Sequence, residues 1–198
     1  MSALGLPAVI QGGMGAAVSS WGLAKEVAKC GQLGVVSGTA LESVVARRLQ
    51  DGDTGGHMRQ ALDHFPYPEV SAHILEKWFL PEGRHGQPYR PMRRISLNAH
   101  TEHDQLVVAA NFVEVWLAKQ ANNGKVGINF LEKLQTATPA ALYGAMLAGV
   151  DAVLMGAGIP REIPQIIRDF AEGKAGTLSV DSERPSGMAA PTLTFDPQ

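Results

Sequence analysis

The sequence predicts an α/β fold with a parallel sheet, and three observations carry that reading. Short apolar runs at 8–10, 33–38, 125–130 and 151–155 each have the length of a buried strand. Each run is followed by a stretch whose apolar residues recur at helical spacing. Glycine-rich turns join strand to helix after the first and the fourth runs. Short buried strands alternating with helices imply a parallel sheet with helices on its faces.

The first unit organises the rest. In Pro7-Ala-Val-Ile-Gln-Gly-Gly-Met-Gly-Ala-Ala-Val18 an apolar strand breaks into Gly12, Gly13 and Gly15 around Met14. Ser19 and Ser20 then open a helix with Trp21, Leu23, Ala24, Val27 and Ala28 at helical spacing, and Gly31 lies just past its end. Such a turn brings backbone N–H groups close to a flat or anionic ligand. It also serves as a plain strand-to-helix connection, and spacing alone leaves both readings open. The single cysteine, Cys30, is expected to be buried.

The second strand, 33–38, ends in Ser37 and Gly38. Thr39 and Glu42 have the spacing of a capping box, and Leu41, Val44, Val45 and Leu49 give the next helix one apolar face to about Gln50.

Residues 51–105 depart from this rhythm. A polar breaker, Asp51-Gly-Asp-Thr-Gly-Gly56, precedes Pro66, Pro68, Pro81, Pro88 and Pro91, with one helix expected over 69–79 on Val70, Ile74, Leu75 and Trp78. All six histidines lie here, and His100-x-x-His103 beside Glu102 and Asp104 suggests a metal. No spacing fits a metal signature, so no metal site is predicted. The aromatic ends of this insertion, Phe65-Pro-Tyr67 and Trp78-Phe79, suggest a lid or a subunit interface.

The α/β rhythm then resumes. A helix over 106–122 carries Val107, Ala110, Val113, Trp116 and Leu117, and Asn122-Asn123-Gly124 ends it. Strand 125–130 places Asn129 near its carboxyl end, where α/β proteins bind ligands. Thr138 is expected to cap a helix with Pro139 first and with Leu142, Ala145 and Met146 following, as far as Gly149. Strand 151–155 runs into a second glycine-rich turn, Gly156-Ala-Gly-Ile-Pro160. A helix from Pro160 or Arg161 turns Ile163, Ile166, Ile167 and Phe170 inward and closes at Gly173. The remainder, 174–198, reads as a hairpin or loose tail with extended pieces at 177–180 and 192–195 joined by a Ser/Gly/Pro-rich loop.

Composition narrows the function. A net charge of −2 across 198 residues gives no basic footprint for nucleic acid and no polybasic membrane patch. No apolar run approaches the ~20 residues that span a bilayer. One cysteine excludes an intramolecular disulfide and a cysteine-based zinc site. With no signal peptide in view, a soluble, cytoplasmic protein is expected.

Four strand–helix units fall short of a (β/α)₈ barrel, which needs roughly 250 residues. The count fits an open four-stranded domain or the N-terminal half of a longer protein. Four segments bear on that choice: Val9-Ile-Gln-Gly-Gly-Met-Gly15, Gly31-Gln-Leu-Gly-Val-Val-Ser-Gly38, Val126-Gly-Ile-Asn129 and Ala148-Gly-Val-Asp-Ala-Val-Leu-Met-Gly156. Together and in this order they resemble the nitronate monooxygenase family, once called 2-nitropropane dioxygenases, whose relatives are flavin-dependent enoyl-ACP reductases. The resemblance covers most of 7–50 and 106–172.

It implies the N-terminal half of an FMN-binding TIM barrel, about four parallel strands with helices, plus a largely helical insertion at 51–105. The whole of 1–198 would be one incomplete barrel domain. It implies an oxidoreductase that oxidises alkyl nitronates with FMN and O₂, or one that passes hydride from NAD(P)H to an enoyl thioester. The turn at Gly13, Met14 and Gly15 would lie against the flavin, Asn129 would bond it through its side-chain amide, and Gly156 would line the pocket. Met14 and Ile128 would supply an apolar lining. The family's catalytic histidine and phosphate loops follow the fourth strand and have no counterpart here, so no catalytic residue carries over. The chain alone is expected to be incomplete, joined by a missing second half or by another copy as a homo-oligomer. A non-catalytic half-barrel that associates with another chain is the competing reading.

Overall fold

Parallel strand pairing sets the frame, and a computed structural model describes it for residues 7–92, 101–180 and 190–197. In chain order the elements are α1 (Trp21–Lys29), β1 (Gly34–Ser37), α2 (Leu41–Gln50), α3 (His57–Leu62), α4 (Pro68–Trp78), α5 (Thr101–Lys119), β2 (Val126–Leu131), α6 (Thr138–Leu147), β3 (Ala152–Gly156), α7 (Ile163–Ala171), β4 (Gly176–Ser179) and β5 (Thr192–Phe195). Strands β1, β2 and β3 form one parallel sheet in that order, with Ser37 opposite Asn129 and Asn129 opposite Leu154. The fold is therefore mixed α/β around a three-stranded parallel sheet.

Side chains alternate across such a sheet. Val36, Ile128 and Phe130 belong to the main apolar core shared with the helices, so Ser37, Asn129 and Leu154 lie on the opposite face. Ile128 is fully buried in that core and cannot line a pocket on the Asn129 face, which corrects the expectation for it.

The expected first strand, 8–10, shrinks to a single parallel bridge between Ile10 and Leu33. The reason lies in how the outward N–H groups of this flank are met. Leu33 N–H donates to the Val9 carbonyl at 3.2 Å, but Val35 N–H donates to Oε1 of the Gln11 side chain at 3.0 Å. Ser37 N–H then donates to the Ser19 carbonyl at 2.9 Å. A side chain and a loop carbonyl thus replace the strand that would have continued the ladder.

The insertion is built into the core. Met58, Ala61, Leu62, Phe65, Val70, Ile74 and Trp78 join the same apolar cluster as the sheet and α2. Phe65 and Trp78 face inward, so neither end of the insertion presents these rings as a lid. Helix α5 begins at Thr101, five residues before the expected start, with Glu102 and Asp104 in the first turn where the helix dipole favours acids. It is buried over most of its circumference and packs against α1, α2, α3, α4, α6 and β2. His100 and the Ser/Gly/Pro-rich loop of the tail lie outside the described residues.

Two expected caps take other forms. Ala40, in the left-handed region at φ 53°, precedes α2, and Thr39 does not cap it. Thr138 is the first residue of α6, and its hydroxyl donates back to the Leu134 carbonyl at 3.0 Å. Cys30 sits at the end of α1 and is exposed, contrary to the burial expected of a lone cysteine. In the tail, β4 and β5 pair antiparallel, and Phe195 meets Tyr143 of α6 and Phe170 of α7 at ring separations of 5.5 and 5.8 Å.

Candidate functional site at the strand ends

The carboxyl ends of the parallel strands gather the residues singled out in the sequence. Asn129 Nδ2 donates to the Gly13 carbonyl at 2.8 Å, fastening the glycine turn onto β2. Gly13 lies so close to the sheet that a Cβ there would stand 2.8 Å from Asn129 Cβ, 2.8 Å from the Val36 carbonyl oxygen and 2.9 Å from Val35 Cγ1. Only glycine fits that approach. Gly15 needs glycine for a different reason, its φ of +65°.

Two residues not singled out in the sequence organise this turn. Ser19 Oγ accepts the Met14 N–H at 3.0 Å and donates to the Gly12 carbonyl at 3.0 Å. Gln11 Nε2 donates to Ser19 Oγ at 3.3 Å while its Oε1 holds Val35. The available signal was position, since Gln11 immediately precedes the glycines and Ser19 immediately precedes the helix.

Met14 is fixed through its backbone while its side chain projects outward, with the residue 71% exposed. Gly156 ends β3 opposite Leu131, one residue pair further along the face that carries Asn129 and Leu154. A Cβ at Gly156 would make only ordinary contacts, with Leu131 Cδ2 at 3.8 Å and the Phe130 carbonyl oxygen at 3.9 Å. Glu132 N–H donates to the Gly156 carbonyl at 2.9 Å. Gly13 and Asn129 are thus in direct contact, Met14 flanks them, and Gly156 stands one strand away at the same end of the sheet.

This cluster has a definite chemical character. Gln11, Gly12, Gly13, Met14, Gly15, Ser19, Asn129 and Gly156 carry no charge and no general acid or base. Among the described residues, the N–H groups of Gly13 and Gly15 donate no hydrogen bond, and Asn129 Oδ1 accepts none. With one N–H of its amide committed to Gly13, Asn129 offers a ligand its Oδ1 as an acceptor and its second N–H as a donor. Such a set fits the polar edge of a flat, uncharged ring. It lacks the cationic side chain that would favour a phosphate, and at the β3 turn the Glu132 carboxylate packs beside Gly158.

No group of three or more His, Cys, Asp or Glu among the described residues is placed to hold a metal ion. No helix among them is long and apolar enough to cross a membrane. Comparison of the chain with protein-family models, characterised proteins and solved structures gives no match.

Proposed function

We propose that the chain supplies the first four strand–helix units of a TIM barrel in a cytoplasmic, flavin-dependent oxidoreductase of the nitronate monooxygenase type. The observation that supports this most is the contact between Asn129 and Gly13, which sets a glycine turn against the carboxyl end of a parallel strand. Backbone N–H groups of Gly13 and Gly15 and the Oδ1 of Asn129 would hold the ring of FMN by its polar edge. Met14 would shield the ring from water, and Gly156 would leave space for a substrate beside it. When bound, FMN supplies the electron chemistry, with an alkyl nitronate and O₂ as reactants. The relatives' alternative is hydride from NAD(P)H passed to an enoyl thioester. A phosphate site is absent from the cluster just described, so weak FMN binding is expected.

The test is a titration of FMN with the purified protein, following flavin fluorescence, with wild type compared against Asn129→Leu. Quenching that saturates and weakens in the variant supports the reading. No quenching by folded protein rejects it. Turnover of propionate 3-nitronate with O₂, set against crotonyl thioester with NAD(P)H, then separates the two chemistries.

A second reading, association with another chain through the open sheet face, is favoured by one observation. Val9, Ile10, Met14 and Val18 are 57%, 46%, 71% and 72% exposed along a single segment. Light scattering at rising concentration tests it, and a mass that stays at one chain rejects it.

A further inference from the structure

On the other side of the strand ends, away from the glycine turn, α2, α5 and α6 border a partly open cavity of about 220 Å³. Val107, Phe130, Leu134 and Ala141 make its wall apolar. Three buried polar residues interrupt that wall, one of them Thr138, whose hydroxyl already donates to the Leu134 carbonyl. Asn111, only 1% exposed, donates its Nδ2 to the Val107 carbonyl at 2.9 Å, which leaves Oδ1 buried without a partner. Glu42, 7% exposed, lines the same cavity and has its own backbone N–H as its hydrogen-bond donor.

Such groups are costly to leave unpaired. A buried acceptor without a donor loses the hydrogen bond it had in water, and a buried carboxylate loses more. His103 lies one helical stripe along α5 from Val107 and Asn111 and interacts with Glu42 electrostatically, but no hydrogen bond joins them among the described residues. The unpaired atom at the cavity, Asn111 Oδ1, and the Glu42 carboxylate that lines it are both acceptors. Their complement is a group that donates several hydrogen bonds and carries positive charge, which describes a primary ammonium better than a hydroxyl or a neutral amide. The volume equals about seven waters at ~30 Å³ each, the size of a short alkyl or aryl chain.

We propose that this cavity is a binding site for a small primary alkylammonium ion, its –NH₃⁺ between Glu42 and Asn111 Oδ1 and its tail against Val107, Phe130 and Leu134. The site is independent of the flavin reading, since neither Asn129, Gly156 nor any residue of the glycine turn lines it. It selects by charge at one end and by apolar length along the other.

The experiment is calorimetric titration of the protein with n-hexylamine at neutral pH, with hexan-1-ol and hexanoate as controls of equal tail. Saturable hexylammonium binding is expected, with the alcohol about tenfold or more weaker, as loss of a charge-assisted hydrogen bond requires, and with no binding of hexanoate. Glu42→Gln, which neutralises a buried charge and keeps its shape, should fold and should weaken hexylammonium about tenfold or more. In wild type, the Asn111 side-chain amide resonances should move on titration, a reading that needs no variant. Equal affinity for amine and alcohol would make the cavity merely apolar and overturn the proposal. Unchanged affinity in Glu42→Gln, still Asn111 resonances, or no heat from hexylamine with folded protein would each overturn it as well.

Discussion

The side-chain amide of Asn129 donates to the carbonyl oxygen of Gly13 across 2.8 Å and 116 residues of sequence. Its other consequence is steric: the bond can form only because Gly13 has no side chain, and the sheet closes over the space where one would be. The two residues therefore specify one another, one through a donor and the other through an absence.

Substitution at neighbouring glycines should separate these roles. Gly13→Ala forces a Cβ against backbone and is expected to cost about 1–3 kcal/mol. Gly12→Ala has nothing within 4 Å of its new Cβ and should fall within about 0.5 kcal/mol of wild type. Urea unfolding midpoints measure both, and equal midpoints would mean that the turn does not rest on the strands in solution.

A buried ion pair supports the second prediction. Glu114, with its side chain 1% exposed, accepts from Arg48 through one oxygen and from the backbone N–H of Trp21 at 2.9 Å through the other. The carboxylate thus satisfies the start of α1 from within α5. Arg48→Met leaves that charge buried alone and should cost up to about 3 kcal/mol, less than for a fully buried pair because Arg48 is partly exposed. Adding Glu114→Gln, which still accepts from Trp21, should recover part of the loss. A double variant as unstable as Arg48→Met alone would contradict this account.

Acidity provides the third. Burial raises the Glu42 carboxyl above its usual value of 4.5, and its own backbone N–H and His103 only partly oppose that. The native state therefore binds more protons than the unfolded chain between 4.5 and the raised value. Stability must fall as pH climbs through that window and level off above it. Glu114, raised by burial against the pull of Arg48, acts in the same direction. Glu102 opposes them, because hydrogen bonds from Lys77 and then His73 hold it down to about 2, so its small exposed contribution is lost as pH falls from 4.5 toward that value. Glu42→Gln should flatten the decline and gain most over wild type above the window. Parallel stability curves for the two proteins would refute it.

The exposed thiol gives the fourth. Cys30 lies at the exposed end of α1, so the native protein should release one equivalent of thionitrobenzoate from Ellman's reagent, the same as after unfolding. A native thiol silent until denaturation would place Cys30 inside.

Much of this architecture was legible because it rests on short-range pattern. Apolar runs around Val35, Ile128 and Val153 marked the three strands, and the stripe Ile163, Ile166, Phe170 marked α7. The start of α5 was not legible, because Thr101 to Gln105 carry no apolar period and only their acids favour a helix end. Helix α3 hid its Met58, Ala61 and Leu62 stripe behind a polar breaker. For the candidate site, the glycines and Asn129 announced themselves, whereas Gln11 and Ser19 act through bonds to segments up to 24 residues away, which no local pattern encodes.

The flank of β1 has a final consequence. Its outward amides at Leu33, Val35 and Ser37 already donate, to Val9, Gln11 and Ser19. A stray extended peptide arriving there meets no vacant donor and cannot be templated, so this border is guarded against fibril seeding and runaway stacking.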